Sequence, residues 1–142
     1  MGSSIRPITL AVIRRGDALL VFEGRDDVKD ETFYRPLGGG VEFGEPSEVA
    51  LKREFREELD ADLVVKERIG VLENVYTWRG RRGHEIAFLY AAEFADASFY
   101  ARDEMKILDD DATARWVDVA DFRDGSKILY PAGLIGLLSP DQ

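Results

Sequence analysis

The sequence predicts an α+β domain in which a strand-rich chain is layered against helices. Short apolar segments, bounded by polar and glycine-containing turns, recur along most of the chain, as expected for β-strands. One early segment, from Pro46 to about Leu59, has the periodicity and the start signals of an amphipathic helix. Many strands with one early, well-marked helix are typical of a layered α+β domain.

The composition indicates one soluble domain spanning residues 1–142. Hydrophobic residues make up 45% and charged residues 33% of the chain, and no apolar run is long enough to cross a membrane. Cysteine is absent, which excludes disulfides and thiolate metal sites and favours a cytoplasmic setting. The net charge of −9 argues against nonspecific binding to duplex DNA or to an anionic membrane. A small phosphorylated ligand stays compatible, because a bound metal reverses the local sign.

The chain before the helix is predicted to be mostly extended. Pro36 biases Arg35 away from helical conformation, and the three glycines that follow permit backbone shapes that other residues resist. The predicted elements are a β-rich segment Ile5–Arg14, a turn Arg15–Asp17, a strand Ala18–Glu23, a polar loop Gly24–Thr32 and an extended segment Phe33–Leu37.

After the helix, the chain is predicted to return to strands and to end in a helix. Arg79–Gly83 is expected to be the turn of a hairpin that joins the second and third of these strands. The predicted elements are strands Asp62–Gly70, Val71–Trp78 and His84–Phe94, an acidic excursion Ala95–Thr113, a strand Ala114–Val119 and a helix Pro131–Leu138.

The predicted helix carries acidic side chains beside an apolar stripe. At roughly 100° per residue, Leu51, Phe55 and Leu59 lie within about 80° of one another and face the core. Glu54, Glu57 and Glu58 lie together on the adjoining arc, where three carboxylates repel one another in isolation.

Two interpretations of this acidic arc are open. It is either a solvated face, or a site for a hard divalent cation such as Mg²⁺ or Mn²⁺, which takes a few carboxylates plus phosphate oxygens. The solvated face leaves the preceding glycines, Glu45 and the position of Arg53 unexplained. With these residues included, the cation site is the better interpretation.

The segment Gly39–Ala61 resembles the Nudix box, G-x5-E-x7-R-E-U-x-E-E-x-G-U, where U is apolar. Gly39, Glu45, Arg53-Glu54-Phe55 and Glu57-Glu58 match in register, and Phe55 is an aromatic in the apolar position. Asp60 stands where the family usually has a glycine that ends the helix in a left-handed turn. Aspartate adopts that conformation at modest cost.

The resemblance implies a Nudix fold, an α/β/α sandwich with a mixed sheet between helices, and hydrolysis of a nucleoside diphosphate linked to another group. It implies that Arg53 pairs with Glu45 and orients the acids. The metal ligands it implies are Glu54, Glu57, Glu58 and the Gly39 carbonyl, with Mg²⁺ (or Mn²⁺) as the cofactor. In this family the general base varies, and the choices here are Glu57, Glu54, Glu85 and Glu104.

The sequence leaves the substrate residues open between binding and structural roles. Arg35 is suited to phosphate, and Tyr34 and Tyr76 to a base, although both tyrosines also fit a packed core. Tyr76 and Trp78 should share one face of a strand, whereas only one of His84 and Glu85 should face the metal. The three arginines of the predicted hairpin turn are either solvated or a phosphate clamp; they are Arg79, Arg81 and Arg82.

The favoured function is a Mg²⁺-dependent hydrolase that converts a nucleoside triphosphate, normal or damaged, to a monophosphate and pyrophosphate. Dinucleoside polyphosphates and nucleotide sugars are alternative substrates. A nucleotide-binding module without catalysis is the main alternative function, although such proteins usually lose box acids, and all are present here. The expected partner is a small-molecule nucleotide, with no nucleic acid or membrane, and the protein is expected to be a monomer or a homodimer.

Overall fold

The computed structural model describes residues 3–108 and 110–138, and within them the chain forms two β-sheets and three α-helices. No helix in this part of the chain is long and apolar enough to cross a membrane. The strands are β1 (Arg6–Val12), β2 (Arg14–Arg15), β3 (Ala18–Asp26), β4 (Glu31–Arg35), β5 (Gly38–Gly40), β6 (Leu63–Trp78), β7 (Arg81–Phe94), β8 (Glu104–Lys106) and β9 (Thr113–Asp118). The helices are α1 (Ser47–Leu59), α2 (Val119–Arg123) and α3 (Leu134–Leu137), with a 3₁₀ helix at Ala97–Ala101.

The first sheet has the strand order β5-β1-β7-β6 and is mixed. β1 and β7 run parallel, whereas the β1–β5 and β6–β7 pairs are antiparallel. The second sheet has the order β2-β3-β9-β8, with β4 paired to β3, and these strand pairs are all antiparallel. Both sheets contribute to the cleft of the candidate site, because the β3–β4 hairpin of the second sheet meets the β6–β7 hairpin of the first sheet there.

Two apolar cores lie on opposite sides of the sheets. Residues of β1 alternate between them, since successive side chains of a strand point to opposite faces. Ala11 packs with Leu51 and Phe55 of α1, whereas Leu10 packs with Phe122 of α2 and Leu134 at the start of α3. This arrangement is the layered α+β fold, with helices on either side of β-structure, that the sequence predicts.

Helix α1 confirms the predicted bounds and the predicted apolar stripe. Leu51 and Phe55 are at most 1% exposed and Leu59 is also buried. The helix ends at Asp60, whose φ of 51° and ψ of 43° are left-handed, with its N–H donating to the Arg56 carbonyl at 3.1 Å. Aspartate therefore performs the turn that glycine performs in the usual box.

Several predicted boundaries are wrong. The segments Asp62–Gly70 and Val71–Trp78 form one long strand, β6, because irregular pairing with β7 between Val65 and Gly70 takes up the break without ending the strand. The Gly24–Thr32 segment is mostly strand, since β3 continues to Asp26 and β4 begins at Glu31.

The hairpin and the end of the chain also differ from prediction. The β6–β7 turn is only Arg79-Gly80, both with positive φ, as a tight two-residue turn requires, so that Arg81–Gly83 belong to β7. The acidic excursion contains the 3₁₀ helix and β8, and the predicted Pro131–Leu138 helix is shortened to α3. Helix α2 was not predicted, because its five residues are too few to show a helical periodicity.

Candidate functional site: an acidic helix beside a cleft

The glycine segment before α1 is held close to its neighbours on both sides. A Cβ atom at position 38 would lie 1.9 Å from the backbone oxygen of Thr9 in β1. A Cβ atom at position 39 would lie 2.4 Å from the carboxyl carbon of Glu54. Only glycine permits the approach to the Thr9 backbone at position 38, whereas a side chain at position 39 would displace the Glu54 carboxylate. The Glu54 carboxylate consequently rests directly against the backbone of β5.

Arg53 organises the acidic residues of this region. Its Nε and Nη2 donate to the two carboxylate oxygens of Glu45 at 2.8 and 2.9 Å, and Nη2 also donates to the Gly40 carbonyl at 3.0 Å. Nη1 donates to Glu54 at 3.0 Å and to Glu57 at 3.3 Å. The predicted Arg53–Glu45 pair is present, and its forked geometry fixes both partners.

The charges around Arg53 stabilise one another. Hydrogen bonding to Glu45, followed by bonds to Glu54 and Glu57, raises the pKa of Arg53 above its ordinary value. The bonds from Arg53 lower the pKa of Glu45. Glu45 and Arg53 are therefore both charged near neutral pH, and they lie where the loop enters α1.

The residues present suit a hard divalent cation. Glu54, Glu57, Glu58 and the adjacent Gly39 carbonyl offer only oxygen atoms, the donor set that Mg²⁺ and Mn²⁺ prefer. In the described part of the chain, however, no three acidic or histidine side chains already surround one ion position. Glu54 and Glu57 do not converge on one ion position, because the Arg53 guanidinium lies between them and bonds both.

A cleft of about 680 Å³ opens between the distal ends of the two sheets. Three of the predicted site residues line it, namely Arg35, Tyr76 and Glu85. Box glutamates are not among its lining residues, but the cleft adjoins the box through Arg6. The Arg6 Nη2 lies 3.1 Å from where a Cβ of Gly40 would stand.

The end of the cleft nearest the box is charged. Glu85 is only 3% exposed, and its carboxylate accepts a hydrogen bond from Arg35 Nη2 at 3.2 Å and lies 3.9 Å from Arg6 Nη1. Asn74, buried and directly opposite Glu85 on β6, also lines this end. The guanidinium groups of Arg6 and Arg35 are the cationic groups at this end that suit an anionic ligand. Besides Glu85, the acidic residues that line the cleft are Glu23, Asp26, Glu31, Asp110 and Asp111.

Aromatic side chains line the cleft from Tyr76, beside Glu85, to Trp78 at the β6–β7 hairpin tip. Tyr76 and Trp78 alternate along β6 and both line the cleft, which confirms that they share one environment. The Tyr76 ring lies over Gly83, where an added Cβ would be 2.3 Å from it, and Phe33 contributes from β4. Burial, together with the nearby Glu85, raises the pKa of Tyr76. Its hydroxyl therefore stays protonated at neutral pH.

Other predicted residues lie elsewhere. Tyr34 is buried in the core against Phe122 and its hydroxyl donates to Glu23, so the interpretation of Tyr34 as a base-stacking residue is not supported. His84 bonds Glu73 at 2.8 Å, on the opposite face of β7 from Glu85, and is not among the cleft residues. Glu104 pairs with Arg115 on the second sheet.

Sequence reasoning missed several cleft residues. Trp78 was expected to share one face with Tyr76, and it does, whereas Arg6, Asn74 and Asp26 were missed because they had no local signal. Of the three arginines of the predicted turn, only Arg79 lines the cleft. Arg81 and Arg82 instead line a second pocket, beside Ser3 and Ser4.

Comparison with known proteins agrees with the geometry. A family model described as the NUDIX domain matches residues 5–132. A MutT Nudix hydrolase from Burkholderia pseudomallei is 23% identical, with a TM-score of 0.65 over 95% of this chain and 97% of the other.

Two further solved structures share the fold. The MutT protein from Methanosarcina mazei is 16% identical, with a TM-score of 0.67 over 96% of this chain and 92% of the other. An ADP-ribose pyrophosphatase from Streptococcus suis is 13% identical, with a TM-score of 0.59 over 93% and 87%. Because the family model covers most of the sequence, the chain belongs to the Nudix family of hydrolases.

Proposed function

We propose that the protein is a divalent-metal-dependent pyrophosphohydrolase that converts a nucleoside triphosphate to a monophosphate and pyrophosphate. The observation that carries this proposal is the position of Arg53 and the three glutamates that it bonds, Glu45, Glu54 and Glu57. Arg53 bonds both Glu54 and Glu57, and Glu54 lies against Gly39. The next residue, Gly40, lies beside Arg6 at the charged end of the cleft. Acids that suit a metal thus adjoin cations that suit phosphate.

Glu54, Glu57 and Glu58, with the Gly39 carbonyl, are the residues that would hold Mg²⁺ or Mn²⁺. When bound, such an ion supplies charge neutralisation at the phosphoryl oxygens and lowers the pKa of water. Arg53 has a separate role, because it holds Glu54 and Glu57 in place through direct hydrogen bonds. Loss of that orientation should impair the reaction even where all three glutamates remain.

Glu57 is the proposed general base. Its side chain is 49% exposed and its contacts with Arg53 are the longest in the cluster, at 3.3 Å. By contrast, the Glu54 carboxylate is packed on Gly39, Glu85 is held by Arg35, and Glu104 is paired with Arg115. A Glu57 carboxylate oxygen would take the proton of the attacking water. The new P–O bond forms as the bridging P–O bond breaks, and pyrophosphate leaves with the electron pair.

The cleft is the proposed site of the nucleotide, whose phosphates would point toward the box. Arg6 and Arg35 would contact phosphate oxygens, and Trp78 and Tyr76 would stack on the base. The lining residues fit dinucleoside polyphosphates and nucleotide sugars as well, since those substrates share the phosphates and the base. A non-catalytic nucleotide-binding module is the second function, and the presence of all the box acids favours the enzyme over it.

The test is hydrolysis of a nucleotide panel with and without Mg²⁺, with products identified by mass. The panel contains normal and oxidised nucleoside triphosphates, ADP-ribose, a nucleotide sugar and a dinucleoside polyphosphate. We expect metal-dependent release of pyrophosphate and monophosphate from at least one triphosphate. Tight binding of a triphosphate with no hydrolysis of any compound would instead establish the binding module.

A further inference from the structure

The two hairpin tips that close the Trp78 end of the cleft come from different sheets. The tip of the β3–β4 hairpin spans residues 27–30 in the second sheet, and the β6–β7 tip is Arg79-Gly80 in the first. Residues at or beside both tips line the cleft, among them Arg25, Lys29 and Trp78. The width of the cleft at this end therefore depends on how these tips are joined.

One buried carboxylate joins them. Asp26 is 1% exposed, and its Oδ2 accepts a hydrogen bond from the Arg79 backbone N–H at 3.0 Å. Its other oxygen, Oδ1, accepts from the backbone N–H groups of Val28 and Lys29 at 3.0 and 3.1 Å, which closes its own turn. Each oxygen of Asp26 thus serves a different hairpin.

A second bond reinforces the first. The indole Nε1 of Trp78 donates to the Arg25 carbonyl at 3.2 Å, adjacent in sequence to the Asp26–Arg79 bond. Arg79 has a φ of 51°, a left-handed conformation that is uncommon for arginine. The bond from its N–H to Asp26 compensates for this cost. The hydrogen bonds from Arg79, Lys29 and Val28 lower the pKa of Asp26, so it accepts these bonds as a carboxylate.

We propose that Asp26 is a positioning residue that holds the two hairpin tips at the spacing required to bind a nucleotide. It contacts neither the box nor any residue proposed to react, so it should act on substrate affinity through the position of Trp78 and Arg79. The identity of the ligand as a nucleotide rests on the proposed function, whereas the claim that Asp26 joins the two hairpin tips does not.

The decisive variant is Asp26→Asn, which preserves size. The turn N–H groups retain an oxygen acceptor, whereas the NH₂ group that replaces Oδ2 opposes the Arg79 N–H, donor against donor. We expect KM for the hydrolysed triphosphate to rise about fivefold to tenfold with kcat within about twofold, as for the loss of one hydrogen bond. Amide exchange at residues 78–81 should accelerate about tenfold.

The matched control is Asp124→Asn. Asp124 also accepts a local backbone N–H, from Ser126, but it lies in an exposed loop and is not among the cleft residues. It should leave KM and the exchange at residues 78–81 unchanged. Trp78→Phe keeps a ring but removes the bond to Arg25, and should accelerate exchange at residues 78–81 by less than Asp26→Asn does. Because Trp78 is itself proposed to stack on the base, the exchange result and not KM is the readout for this variant, and it also serves if Asp26→Asn does not fold.

Unchanged KM in Asp26→Asn, together with unchanged exchange in Asp26→Asn and Trp78→Phe, would overturn the proposal. A fall in kcat with KM unchanged would overturn it as well. If the protein hydrolyses no nucleotide, the exchange comparison still decides whether Asp26 joins the tips, so failure of the proposed function is distinguishable from failure of this inference.

Discussion

The box and the cleft differ in how far apart in sequence their interacting residues are. Arg53 bonds partners no more than 13 residues away, at Glu45, Glu54, Glu57 and Gly40. In the cleft, Arg35 bonds Glu85 across 50 residues and Asp26 bonds Arg79 across 53. The proposed reacting end is thus assembled by one loop and one helix, whereas the proposed recognition end is assembled by pairing of strands.

This difference separates chemistry from recognition. A short segment with fixed spacing is sufficient to orient the acids, because a helix sets their directions. The cleft has no such short segment, and its shape depends on five strands from two sheets, β1, β3, β4, β6 and β7. Substitutions in the box should therefore lower kcat, and substitutions in the cleft should raise KM.

The largest effect should come from the proposed base. Glu57→Gln should lower kcat by about 10²-fold to 10⁴-fold, the range for loss of a general acid–base group, with little change in thermal unfolding. Glu48→Gln, on the exposed first turn of α1, is the control and should retain normal rates. Near-normal turnover in Glu57→Gln would remove this residue from the reaction and weaken the contrast between box and cleft.

A pair of neighbouring glycines tests whether close contacts in the box serve stability or activity. Gly38→Ala sets a Cβ against the rigid Thr9 backbone and should lower the free energy of unfolding by about 3 kcal/mol. Gly39→Ala meets only the flexible end of Glu54, so stability should change little. The displaced carboxylate should nevertheless reduce kcat by about 10-fold to 100-fold.

These two variants are compared by urea unfolding and by turnover of the same triphosphate. If Gly38→Ala and Gly39→Ala lowered the free energy of unfolding equally, the Glu54 carboxylate would be held as rigidly as the Thr9 backbone. Normal turnover in a folded Gly39→Ala protein would show that the position of Glu54 does not matter to the reaction.

The cleft should respond through affinity. Trp78→Ala removes a stacking surface and should raise KM about tenfold, since stacking on a base contributes about 1–3 kcal/mol. Val75→Ala, on the opposite, exposed face of the same strand, should not change KM. A kinetic comparison in which Trp78→Ala lowers kcat but leaves KM unchanged would contradict the division between box and cleft.

The smallest effect concerns pH and the Arg53–Glu45 pair. Because Arg53 lowers the pKa of Glu45 below its ordinary 4.5, the pair stabilises the folded state above that pH. This contribution is lost as pH falls through the lowered pKa of the folded state. The stability difference between wild type and Glu45→Gln should therefore be constant near neutral pH and shrink below about pH 4.5. Urea unfolding at several pH values measures it, and a difference that grows on acidification would contradict the ion pair.

What could be predicted from the sequence also differs between the box and the cleft. The helix Ser47–Leu59, its buried stripe and the left-handed Asp60 were predictable, because each depends on residues within one or two turns. The continuous strand β6 was not, since only pairing with β7 carries it past Gly70. Tyr34 and Tyr76 look alike in sequence, yet one is buried in the core and the other lines the cleft.

The sequence by itself determined the family, the layered α+β fold and the acidic helix, because local spacing sets which side chains share a helical face. Only the tertiary structure decided that Arg53 lies between the acids and that Glu85 faces Arg35. The bond by which Asp26 joins the two hairpins is likewise known only from the tertiary structure. These contacts depend on strand pairing between segments about 50 residues apart, and nothing in the local sequence encodes that register.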